Sequence, residues 1–198
     1  MKLSDISWAR LVSHLLSPPV VWGALVLLIA FRDADSQGQA LLWAAAYGII
    51  VCLLPGLYIV WLVRRGIVTD VHLNRRQERP RVLLLSAACA GLSWWMLRSL
   101  GAPPGIPLIA VITLALLAIT MLITLVWQIS LHATSISAAV IATGAFFGIG
   151  PALLVLPLAL LVAAARLHLK RHTPAEILAG TVVGGLIPVL LVAAGLWS

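Results

Sequence analysis

Apolar stretches recur along the chain at lengths near the 18 or so residues needed to cross a hydrocarbon layer about 30 Å thick, and short polar links separate them. The pattern predicts helices over residues 15–31, 40–63, 82–97, 106–127, 133–147, 152–165 and 174–197. The fifth and sixth of these are short for full crossings, so tilt, local thinning or helix ends buried in protein must make up the difference. Ahead of the first, residues 1–14 mix Lys2, Asp5, Arg10 and His14 with Leu3, Ile6, Trp8, Leu11 and Val12, as in a helix lying in the interface. Pro18 and Pro19 stand near the start of the first span, where missing backbone donors do least damage. Gly101–Gly105 (Gly-Ala-Pro-Pro-Gly) forms a tight turn, and Gly148-Ile149-Gly150-Pro151 breaks the fifth helix from the sixth.

Composition agrees with this pattern. Of 198 residues, 62% are hydrophobic and 10% charged, against about 25% charged in soluble domains. The predicted fold is all-α, a polytopic transmembrane helical bundle of about six or seven spans, forming one integral membrane domain over residues 1–198. Cys52 and Cys89 both sit in apolar runs and read as packing residues rather than as a disulfide or a thiolate metal site. The N-terminus lacks the layout of a removable signal peptide, so the first helix is expected to stay in the mature protein. The net charge of +7 suits loops that face anionic lipid headgroups or a negatively charged substrate. No basic run interleaves with aromatics, which argues against a nucleic-acid partner.

Helix parity then changes the picture. The polar groups of residues 64–81, of His132, and of residues 166–176 follow the second, fourth and sixth spans, which puts all three at one membrane face. In the third group Thr173, Pro174 and Glu176 spell a capping box with proline at the first helical position. His172 therefore precedes a helix N-terminus, where free N–H groups and the helix dipole favour an anion. Gly180 and Gly184, four apart in the helix that follows, offer a small face for close helix contact. His168, His172 and Glu176 also fall at four-residue intervals, but Pro174 interrupts the helix on which they would form a metal-binding face. No metal and no cofactor is expected.

The residues of that third group resemble the third motif of the type 2 phosphatidic acid phosphatases and their lipid phosphatase and haloperoxidase relatives. The family's Ser-Arg, five residues, His, three residues, Asp corresponds to Ala165-Arg166, His172 and Glu176. Ile177-Leu178-Ala179-Gly180 also looks like the family's continuation. The second motif, Pro-Ser-Gly-His, corresponds to Ile129-Ser130-Leu131-His132, and the first, Lys-six residues-Arg-Pro, to His72 and Arg79-Pro80. The resemblance runs over residues 72–185, with the three motifs in the family's order.

What the resemblance implies is a metal-independent lipid phosphate phosphatase. His172 would be the nucleophile, forming a phosphohistidine, with Glu176 holding its imidazole in the attacking tautomer. His132 would protonate the departing lipid oxygen and later activate water. Arg79 and Arg166 would neutralise the phosphoryl oxygens, with His72, Arg75, Arg76 and Ser130 as further phosphate-binding residues. His72 stands where the family has Lys, so the permanent cation that the motif calls for is expected from Arg75 or Arg76. Leu131 stands where the family has Gly, and Glu176 carries one methylene more than Asp.

The expected substrate is a phosphomonoester or diphosphate of a lipid, such as a polyprenyl diphosphate, a polyprenyl-linked sugar phosphate or phosphatidate, with its tail left in the bilayer. The alternatives are a lipid phosphotransferase and a non-catalytic lipid-binding membrane protein with a degenerate site. Eleven of the thirteen Lys and Arg residues lie on the side of the three polar groups, with Arg32 and Arg98 opposite. The positive-inside rule places that side in the cytoplasm, in what is expected to be a bacterial cytoplasmic membrane.

Overall fold

The computed structural model describes residues 7–71, 73 and 75–194. Among them regular structure is wholly helical. An amphipathic α1 (Trp8–Leu15) leads into α2 (Pro18–Asp33) through a 47° bend. Next comes α3 (Gln37–Arg64), continuous but with a π-helical segment at Gly48–Leu53. A 3-10 turn, Arg76–Glu78, opens α4 (Arg79–Ser99), and α5 (Gly105–Val126), α6 (Leu131–Phe147), α7 (Ile149–His168) and α8 (Pro174–Ala193) complete the order. The π segment has a local cause. Pro55 has no N–H to offer Val51 and its ring crowds that carbonyl, so the chain widens just ahead of it, the Leu54 amide bonding Ile49 O five residues back.

Five of these helices are long and apolar enough to cross a membrane, and the bent α1–α2 pair makes a sixth. α6 stays below that length at 17 residues, or about 25 Å of rise, so the seven apolar stretches of the sequence give five or six candidate crossings. Large apolar side chains face outward along the helices, among them Leu84, Leu122, Leu178 and Leu154, the last 80% exposed. A water-soluble chain does not carry such surface, and the protein is an integral membrane protein.

Helix ends differ from the expected ones in an instructive way. α4 begins three residues earlier than its apolar run because Pro80 is accepted in a first turn. α7 runs past the apolar stretch, through Arg166 and Leu167 to His168, since nothing in those residues breaks a helix. It stops because Lys170 takes a left-handed conformation (φ 52°), with Lys170 N bonding Leu167 O at 2.9 Å and Arg171 N bonding Arg166 O at 3.1 Å. This is a Schellman ending without its usual glycine.

The helices pack as two compact units. One comprises residues up to Trp22 together with Ile129–Leu190, and the other Gly23–Gln128 with the residues from Leu191 onward. In the first, α6 and α7 form a hairpin about Gly148, whose φ of 93° suits glycine alone. The Gly144 side of the hairpin faces Ala152, where a Cβ on the glycine would lie 3.4 Å from the alanine methyl. α1 packs on α7. α8 crosses α6 at Gly180 and Gly184, whose added Cβ atoms would stand 2.7 Å from Ser130 O and 2.2 Å from Thr134 O. In lipid such close backbone approach supplies the packing that hydrophobic burial supplies in water.

In the second unit α4 and α5 pack along their length, and the π segment of α3 lies on α4. Tyr47 and Thr113 share a buried hydrogen bond of 2.9 Å, while the Thr113 hydroxyl also bonds Ile109 O at 2.8 Å. The polar link after α3 is anchored by Val68 and Leu73, buried against Leu62 and Val82, and by the Thr69 hydroxyl donating to the Glu78 carboxylate at 3.0 Å.

Candidate functional site

The first unit brings Ser130, His132, Arg166, His172 and Glu176 to one end of the α6–α7 hairpin and the start of α8. Three local decisions produce this. The left-handed Lys170 reverses the chain directly after α7, so Arg166 on the last turn and His172 in the link are joined through Arg171 N to Arg166 O. The capping box forms as the sequence predicts: Glu176 N donates to Thr173 Oγ1 at 3.3 Å, and Thr173 N to Glu176 Oε2 at 3.0 Å. Finally, Ser130 N donates to the main-chain oxygen of Glu176 at 3.1 Å, a contact between distant segments that the glycine face of α8 permits. The expected convergence of residues 129–132 with residues 166–176 is thus a main-chain feature and not only a side-chain one.

Within this frame His172 Nδ1 lies 3.0 Å from Glu176 Oε2. A carboxylate accepts, so Nδ1 carries the proton and the neutral ring keeps its lone pair on Nε2. The extra methylene of glutamate does not prevent the contact. It lets a single oxygen serve both the imidazole and the Thr173 amide. His172 is 8% exposed, and the Arg166 side chain 2%. Arg166 Nη1 reaches the hydroxyl of Ser13 on α1 at 3.5 Å. His132, half-buried on the first turn of α6, directs Nε2 to Ser13 O at 3.0 Å.

Ser130 has a structural duty beside any other: its hydroxyl accepts from Ala133 N at 3.4 Å, capping α6, and its carbonyl accepts from the Thr134 hydroxyl at 3.0 Å. His168 ends α7, facing the Trp8 ring at a centroid distance of 5.3 Å. With the helix ended there, His168, His172 and Glu176 share no helical face.

The first-motif residues belong to the second unit. Arg79, 2% exposed, donates from Nε to Leu73 O at 2.9 Å. Leu73 holds a left-handed conformation (φ 51°). Arg76 Nη1 donates to Leu125 O at 2.8 Å and to Thr124 O at 3.4 Å, so its cation sits on the carbonyls that end α5, where the helix dipole favours it. Arg75 is exposed. His72 lies outside the described residues, as do residues 1–6 of the interfacial segment and Trp197.

Ser13 is the residue that the sequence did not mark. A serine in an amphipathic segment has no chemical signature, and the sole hint was its spacing of four from Ala9, a small pair on one helical face. Comparison with protein-family models, with curated proteins and with solved structures yields no match to this chain.

Proposed function

We propose that this integral membrane protein is a lipid phosphate phosphatase of the type 2 phosphatidic acid phosphatase kind, acting through a phosphohistidine. One observation carries the reading: a buried imidazole held through Nδ1 by a carboxylate, at a helix N-terminus, in the same cluster as a buried guanidinium and a second histidine. His172 Nε2 attacks phosphorus. The N–P bond forms as the bond to the lipid oxygen breaks, and that oxygen takes a proton from His132. Water, giving its proton to His132, then attacks the phosphohistidine and releases inorganic phosphate. Arg166, permanently cationic, offsets the charge that gathers on the phosphoryl oxygens, where fixed donors contribute most to phosphoryl transfer. The resemblance also names Arg79, His72, Arg75, Arg76 and Ser130 for phosphate binding.

A phosphate at a helix N-terminus beside apolar helices suits a substrate with a charged head and a lipid tail: a polyprenyl diphosphate, a polyprenyl-linked sugar phosphate or phosphatidate. The excess of Lys and Arg that helix parity assigns to the site's side favours the cytoplasmic face of a bacterial membrane. The purified protein is assayed on a panel of these lipids beside His172→Ala, His132→Ala and Arg79→Ala. Phosphate release by the parent, reduced about 10²–10⁴-fold in the two histidine variants, is the expected result. Equal release by all of them rules the mechanism out. In water enriched in oxygen-18, label in the released phosphate separates hydrolysis from transfer to another acceptor.

A further inference from the structure

Ser13 touches two of the residues that the proposed reaction uses, and it does so with two different oxygens. Its main-chain carbonyl receives His132 Nε2 at 3.0 Å, and its hydroxyl receives Arg166 Nη1 at 3.5 Å. Ser13 is 2% exposed and Ala9, one turn earlier, is fully buried. Around the rest of α1, Arg10 and His14 are exposed, and so are Trp8, Leu11 and Leu15. The helix therefore presents a small-residue face to its own unit and an apolar stripe outward, as a helix lying among headgroups does.

We infer that α1 is a wall of the site and that Ser13, through its carbonyl, is the positioning residue that makes Nδ1 the proton-handling atom of His132. The inference rests on the phosphatase reading above. A carbonyl oxygen only accepts, so Nε2 bears the proton of that hydrogen bond, and in the neutral ring the lone pair falls on Nδ1. The two imidazoles are then poised in opposite senses. His172 is held at Nδ1 and attacks through Nε2; His132 is held at Nε2 and gives and takes its proton at Nδ1. Between the two half-reactions the proton leaves Nδ1 for the lipid oxygen and returns to Nδ1 from water, while Nε2–H stays on Ser13. The ring need not turn, and in its cationic form the same carbonyl gains a charge-assisted bond. The carbonyl's role also explains why no sequence signal betrays it, since any residue at position 13 supplies one.

The experiment uses the full-length protein with histidine labelled by nitrogen-15, reading ring tautomers by NMR in nanodiscs, with His132 assigned by its loss in His132→Ala. The parent is expected to show the unprotonated nitrogen of neutral His132 at Nδ1. Ser13→Ala keeps the carbonyl, so it should preserve that tautomer. Ala9→Leu wedges α1 outward. It should mix the His132 tautomers and lower kcat about tenfold or more, with the loss of general acid–base catalysis as the upper bound, while His172 retains Nδ1–H. An unprotonated Nε2 on His132 in the parent overturns the inference, as does an unchanged His132 tautomer in Ala9→Leu. If Ala9→Leu does not fold, the parent spectrum decides by itself. Absence of phosphate release by the parent counts against the reaction, whereas a wrong tautomer counts against Ser13, so the two failures are read separately.

Discussion

His172 and Thr173 share one oxygen of Glu176: Nδ1 of the imidazole and the amide of the next residue each lie 3.0 Å from Oε2. One carboxylate thus starts a helix and holds the imidazole proposed as nucleophile, and the proposal makes the two duties separable. Glu176→Gln retains an acceptor for the Thr173 amide, since glutamine serves in capping boxes, but removes the charge that favours Nδ1–H. Phosphate release should fall about 10²–10⁴-fold, with a thermal midpoint close to that of the parent. Thr173→Ala should do the reverse, costing about 1 kcal/mol of stability and leaving most of the activity. Equal loss of both properties in both variants would show that the duties are not separable.

Gly180 and Gly184 bring the His172 segment to the His132 segment. A Cβ on Gly184 would stand 2.2 Å from Thr134 O, a main-chain atom that cannot swing aside. Gly184→Ala should therefore cost about 1–3 kcal/mol or more and lower activity by separating the two histidines. Neighbouring Gly185 meets nothing within 4 Å, and Gly185→Ala should be neutral or stabilise by about 0.5–1 kcal/mol through helix propensity. Thermal unfolding in detergent with parallel activity assays checks the pair; similar losses in both would remove the glycine face from the account.

Much of this arrangement was legible in the chain, and for stated reasons. Apolar run length identified the helices because an apolar run of that length can satisfy its whole backbone in lipid only within a helix of its own. The Thr173-Pro174-Glu176 spacing gave the start of α8 to the residue, and Gly180 with Gly184 gave its contact face. What escaped was written in the main chain. Ser13 acts through a carbonyl, Lys170 turns left-handed without glycine, and the Ser130 N to Glu176 O bond joins residues 46 positions apart. Arg76, put forward for the duty of the family's Lys, has a contact that the sequence did not announce: its guanidinium rests on the carbonyls ending α5.

Lys170 is such a position. Its left-handed backbone costs a residue with a Cβ roughly 1–2 kcal/mol, and the side chain is exposed. Lys170→Gly should raise stability by up to about 1 kcal/mol once the looser unfolded chain is counted, with activity retained. Lys170→Val should lose stability, because a β-branched residue fits that conformation poorly, and should also lose activity as Arg166 and His172 move apart. Opposite signs in the two melting curves are the signature; a shift of the same sign in both would mean the turn does not hold the site.

The direction of α8 gives a prediction about the two ends of one helix. α8 starts at the His172 cluster and continues for 20 residues, a rise of about 30 Å, which matches the hydrocarbon thickness. Its far end therefore faces the compartment opposite the cluster. Helix parity read from the sequence counts nine Lys and Arg residues besides Arg79 and Arg166 with the cluster, against Arg32 and Arg98 opposite, so the proposal has the cluster cytoplasmic. A reporter fused after Ser198 should then read as external, while a cysteine replacing exposed Lys170, with Cys52 and Cys89 both changed to Ala, should resist an impermeant thiol reagent in intact cells and react after lysis. Because the two probes sit at opposite ends of one helix, they must disagree. Agreement would mean that α8 does not cross, and disagreement in the reverse sense would put the phosphate chemistry on the outer face.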